Sequence, residues 1–208
     1  MRKTGSSKRG RRCWITTAPI YGLTPVMSID YVKEIINLAG VTNPLETPGL
    51  DDWLQAEADI GLVFPEDFKT LVTALGTGSF GVGIYYRNPV ASSEYVLLSR
   101  AALIRYREPI SDLELSGTVR LYPSKLGLVN IASMDRQDFL LRPDRSGKHL
   151  SDLVWLDVET RQMRDLNVSF CQFMHDLYFE KVPGKWAKEL REYFWPSSSV
   201  AFFTPWKK

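Results

Sequence analysis

The stretch Trp53 to Phe80, WLQAEADIGLVFPEDFKTLVTALGTGSF, carries the reading of the fold. Leu50, Trp53, Leu54 and Ile60 mark a helix, and Gly61 stands where its C-terminal cap belongs. Pro65 then takes the first turn of a second helix, where its missing N–H costs nothing, and Glu66 and Asp67 complement the dipole there. Phe68, Leu71, Val72 and Leu75 follow at i, i+3, i+4 and i+7. Gly76 ends that helix, and a glycine-rich exit leads into a strand. The string Gly76-Thr77-Gly78-Ser79-Phe80-Gly81 fits GxGxxG, but a dinucleotide site needs a strand before the glycines and a helix after them. Here the helix comes first and its negative end meets the glycines. They are expected to permit positive φ and close packing instead.

Outward from this segment, Ser28 caps a helix through Gly40 carrying Ile29, Val32, Ile35, Ile36 and Ala39, and Thr42 to Gly49 form a linker. Beyond Phe80 the period turns towards two. FGVGIYY (80–86), EYVLLS (94–99), LGLVNIAS (126–133), QDFLLRP (137–143) and DLVWLDV (152–158) are strand candidates. Ala101 to Ser116 supports no assignment. Phe170, Phe173, Met174 and Leu177 return to helical spacing, and after Pro183-Gly184 a last helix carries Trp186, Leu190 and Phe194. Helices, then closely spaced strands, then helices imply an α+β fold with a mostly antiparallel sheet. The expected organisation is a flexible basic arm (1–27), one domain (28–195) and a tail (196–208).

The 208 residues, 44% hydrophobic and 24% charged, suit an ordinary core without a disulfide framework or structural metal. Residues 1–12 hold six basic side chains and no acid, so the rest of the chain, with 20 basic and 24 acidic residues, carries −4. The arm could neutralise phosphates, but the body has no basic face, and nucleic acid is not the expected partner. Arg11-Arg12 before Cys13-Trp14-Ile15 faintly resembles a twin-arginine export signal. Pro19, Gly22 and Pro25 break the segment that follows, and no stretch reaches the ~20 apolar residues of a membrane span. A cytoplasmic location is expected.

Chemistry-bearing residues are sparse. Cys13 and Cys171 form no metal-binding spacing, and His149 and His175 lack partners at ligand spacing, so neither metal nor cofactor is expected. Cys171 and His175 lie four apart and could share a helical face, which leaves a small enzyme as the third-ranked reading. There is no GxSxG elbow, P-loop or set of kinase motifs. From Glu46 to Asp67 run seven acids (Glu46, Asp51, Asp52, Glu57, Asp59, Glu66, Asp67) without a lysine or arginine. This is either a solvated helix face or a negative patch that steers a basic partner.

The order Trp53, Glu57, Ile60-Gly61-Leu62-Val63-Phe64-Pro65-Glu66-Asp67-Phe68-Lys69, Leu71, Gly76, Gly78 and Phe80 resembles the signature of the SUKH superfamily. Leu126 to Ala132, Leu153 to Asp157, and Ser169-Phe170 with Phe173 and Met174 resemble its central strand, later strand and closing helix. The likeness covers residues ~50–181, and Trp53, Gly61, Pro65, Phe68, Gly76, Gly78 and Phe80 are its structural positions. Asp135-Arg136-Gln137-Asp138 departs from the usual glycine-bearing turn. The helix at 28–40 and the residues after Pro183 have no obvious counterpart. The resemblance implies a non-catalytic protein-binding domain, first of all an immunity protein that neutralises a bacterial toxin of nuclease or deaminase type. A regulatory adaptor for a cellular protein is the alternative. It further implies a cleft between the helical pair and the sheet, with Asp51, Asp52, Asp59, Tyr85 and Tyr86 in reach of one partner. Because strand neighbours point to opposite faces, only one of the two tyrosines can line it.

Overall fold

Glycine and carboxylates set the helix boundaries around the signature. The computed structural model describes residues 15–16, 28–107 and 119–206, with the backbone alone for 15–16 and 28–30. Helix α1 (Ser28–Ala39) precedes α2 (Leu50–Ile60), where the Gly49 N–H donates to the Asp52 carboxylate at 2.8 Å. Gly61, at φ 78°, closes α2 with its N–H on the Glu57 carbonyl. Helix α3 (Glu66–Leu75) starts one residue later than expected. Pro65 is its extended N-cap, and the Pro65 carbonyl accepts the first helical bond from the Lys69 N–H.

The glycine run after α3 is a site of close packing. A Cβ on Gly76 (φ 65°) would lie 2.0 Å from the Leu45 carbonyl oxygen, and one on Gly78 would lie 2.2 Å from the Phe203 ring. Strand β2 (Gly78–Phe80) and strand β3 (Ile84–Tyr86) pair antiparallel, with Phe80 opposite Ile84. The single strand expected over 80–86 is therefore a hairpin. Positive φ at Gly81 and Gly83 reverses the chain midway.

After helix α4 (Arg100–Arg107) come β4 (Val129–Met134), β5 (Gln137–Pro143), β6 (Leu150–Asp157) and β7 (Gln162–Asp165). Helices α5 (Phe170–Tyr178) and α6 (Lys185–Phe194) and strand β8 (Phe203–Pro205) complete the described chain. With β1 (Ile15–Thr16) the sheet runs β1-β7-β6-β5-β4-β3-β2-β8. Among the described strands only the β1–β7 pair is parallel, and the class is α+β. The segment 94–99 is not a sheet strand. Its Leu97 meets Asn88 in an isolated bridge, and Leu98 donates to the Asn88 carbonyl, so the piece folds back on the end of β3. Residues 196–208 include the edge strand β8, and β1 falls within the stretch expected to be a flexible arm. The basic residues 1–12 lie outside the described residues.

Alternation along β5 and β6 divides the core in two. Phe139, Leu141, Leu153 and Trp155 join the main core with residues of α1, α2, α3, α5 and α6. Leu140, Val154 and Leu156 point the other way, into a smaller cluster with Val119, Leu121, Leu128 and Met163. Phe80 centres the main core, with the rings of Tyr86, Phe170, Phe202 and Phe203 around it. Among the described residues no helix is long and apolar enough to cross a membrane.

Candidate functional site: a cleft on the second sheet face

Pairing across five strands sets Tyr85, Ser133, Asp138, Leu156 and Met163 in one row on the second face. The row is polar at the β3 end and apolar at the β7 end. Arg87, two residues beyond Tyr85, shares that face, since side chains alternate along extended chain. Over the polar end α4 leaves a cavity of about 380 Å³. Tyr85, Tyr95, Tyr106, Ala102 and Val158 give it apolar walls, and Arg87, Asn130, Ser133 and Asp138 its polar lining.

The polar side chains are deeply placed, with Arg87 6%, Asn130 2% and Asp138 4% exposed. Arg87 Nε donates to Asn130 Oδ1 at 2.7 Å, and its Nη1 donates to the Leu97 carbonyl at 3.2 Å. The guanidinium lies 5.3 Å from the Tyr106 ring centre, a favourable cation–π distance. Asn130 Nδ2 completes the frame by donating to the Ala132 carbonyl and Ser133 Oγ. Burial pulls the guanidinium below its usual pKa and pushes the Asp138 carboxyl up, with the nearby Tyr106 and Ser133 hydroxyls opposing the latter. Burial and then the Asp138 charge push the Tyr106 phenol well up. Its hydroxyl is buried beside Asp138 and Asn130.

The rim is aromatic and charged. Tyr95, 61% exposed, meets Tyr85 edge-on at 5.8 Å, and Trp206 meets Tyr85 from another side at 6.3 Å. Glu94 pairs with Arg105, and Arg136 of the β4–β5 turn pairs with Glu159 at 2.6 Å. Asp135 also lines the opening.

The five expected contact residues are not brought together. Tyr85 is half-buried in the cavity wall. Tyr86 points into the main core, fully buried, and its hydroxyl donates to the Gly76 carbonyl. Asp51, Asp52 and Asp59 sit on α2 and line no part of the cavity. Asp52 accepts the Gly49 N–H and Asp59 accepts the Arg100 N–H at 2.8 Å, which ties α2 to the start of α4. The acidic run is also less uniform than its composition, because Lys69 bridges Glu57 and Glu66.

Trp53, Phe68 and Phe80 are core residues, and Gly61, Pro65, Gly76 and Gly78 shape the backbone as described. Cys171 is buried, and burial with the Asp67 charge pushes its thiol well up. The His175 ring nitrogens meet Asp176 at 2.9 Å and Glu34 at 2.6 Å, so the histidine is committed to carboxylates and not to Cys171. Arg87, Tyr95, Tyr106, Asn130 and Asp138 are not among the contact residues expected from the sequence. The available signal was polar residues at alternate positions in runs otherwise fit for a core: Arg87 after Tyr85, Asn130 within LVNIAS, and Asp138 before Phe139.

No protein-family model matches the chain, and no significant match is found among curated proteins or solved structures.

Proposed function

We propose that this chain is a non-catalytic protein-binding domain, of the toxin-neutralising kind that the SUKH resemblance implies, acting by direct binding in the cytoplasm. The observation that carries the reading is the aromatic rim of the cleft, on which Tyr95 stands exposed. Tyr85 meets both Tyr95 and Trp206, and Glu94, Arg105, Asp135 and Arg136 line the same cleft. Tyrosine and tryptophan beside arginine make up the residue set that concentrates binding energy at protein interfaces. The buried Cys171 thiol, held protonated, lends support on the chemical side. Asp51 adds an exposed negative charge on α2, suited to drawing in a nuclease or deaminase that grips nucleic acid.

The test is co-expression with candidate toxin domains of nuclease and deaminase type. Wild-type protein is expected to restore growth, and the double variant Tyr85→Ala/Tyr95→Ala to lose that protection while remaining folded. Failure of the wild type to protect, together with recovery of a constitutive partner from unchallenged cells, would replace this reading with the regulatory adaptor.

A further inference from the structure

The lining of the cleft holds two buried charges of opposite sign that do not meet. An arginine and an aspartate free to approach one another form a bidentate pair, and each is costly to bury alone. Here the sheet keeps them apart. Arg87 follows the end of β3, opposite Ile131, whereas Asp138 stands on β5 opposite Ser133. Arg87 is anchored on neutral acceptors only, Asn130 Oδ1 and the Leu97 carbonyl, and among the described residues its Nη2 has no acceptor and no carboxylate lies within ion-pair distance. Each charge is nonetheless felt by the other. The Tyr106 hydroxyl lies beside Asp138 and holds its carboxyl down against the effect of burial.

A lone carboxylate on Arg87 would face Asp138, and a lone ammonium on Asp138 would face Arg87. A molecule with both charges side by side satisfies both at once. The remaining walls (Tyr85, Tyr95, Ala102, Val158) suit an apolar body, and a volume of about 380 Å³ is at the small end of ligand pockets.

We propose that this cavity binds a small zwitterion, an α-amino acid with an apolar side chain, through Arg87 to its carboxylate and Asp138 to its ammonium. The side chain lies against Tyr85 and Tyr95. No covalent step is involved. The proposal concerns the interior of the cleft and does not rest on the protein-binding reading, which concerns its rim.

The experiment is titration of the full chain, without any partner protein, using three probes of one shape: L-phenylalanine, 3-phenylpropionate, which lacks the cation, and phenethylamine, which lacks the anion. Binding is followed by calorimetry and by NMR shifts of the cavity residues. L-phenylalanine is expected to bind at least tenfold more tightly than either analogue. Asp138→Asn should abolish its advantage over 3-phenylpropionate, and Arg87→Gln its advantage over phenethylamine. Tyr95→Ala, at the exposed rim, should weaken L-phenylalanine several-fold. Equal binding of either single-charge analogue overturns the proposal. So does the absence of cavity shifts with all of L-phenylalanine, L-leucine and L-methionine. The wild-type comparison decides even if the buried-site variants fail to fold, and because no toxin is present its failure leaves the rim reading standing.

Discussion

Two adjacent tyrosines have opposite roles, and the strand geometry assigns them. Tyr86 is packed against Phe80 and Phe203 and gives its hydroxyl to the Gly76 carbonyl, at the point where α3 turns into the sheet. Tyr86→Phe leaves that carbonyl short of a buried donor and should cost about 1–3 kcal/mol in chemical denaturation. Tyr86→Ala adds an aromatic-sized cavity and should cost roughly 3–5 kcal/mol. Tyr85→Ala, at the half-buried cavity wall, should cost clearly less, and equal losses at the two positions would contradict the assigned faces. That one of the pair faces the core could be read from alternation alone. Which one does so could not, because the hairpin at Gly81–Gly83 sets the phase of β3, and that phase depends on glycines at positive φ rather than on apolar pattern.

The elements most legible in the sequence are those with strong periodicity and clear punctuation. Helix α2 and strand β5 coincide with the expected 50–60 and 137–143, because Gly61, Pro143 and the Asp135-Arg136 turn mark their ends. Strands β7 and β8 were not legible. Of the four residues of β7 only Met163 is apolar, and β8 is three residues long and ends in proline, the usual form of an edge. Both are defined by the neighbour they pair with, which local sequence does not record. Strand β8 nonetheless carries weight. It covers the edge of β2, and Phe202 and Phe203 close over Phe80. Each buried phenylalanine is worth about 3–5 kcal/mol, so removing both takes away a large part of a typical stability of about 5–15 kcal/mol. A chain ending at Trp195 should therefore be largely unfolded or aggregated by circular dichroism and light scattering. A native melting curve for that truncation would show that β8 is dispensable.

At the scale of the whole molecule, two faces of one sheet serve different ends. One face is closed by five helices into an aromatic core, and the other carries a smaller core at one end and the open cleft at the other. The cleft was illegible in the sequence because its residues come from β3, β4, β5, α4 and the 94–99 fold-back, and only the pairing register gathers them. The acidic run was legible as composition, but its members are not equivalent. Asp52 and Asp59 hold backbone N–H groups, so reversing their charge disturbs α2 and α4 as well as the field, whereas Asp51 is exposed and can be reversed cleanly.

The central claim is the proposal that the Tyr85–Tyr95 rim is where the partner binds, and association and dissociation rates against the proposed toxin partner test it most directly. Buried aromatic anchors govern dissociation, and distant charges govern encounter. Tyr95→Ala should raise the dissociation rate roughly tenfold or more with little change in association. Asp51→Lys should lower the association rate, most at low salt, and leave dissociation unchanged. Unaltered dissociation in both Tyr95→Ala and Tyr85→Ala would place the interface elsewhere and contradict the account.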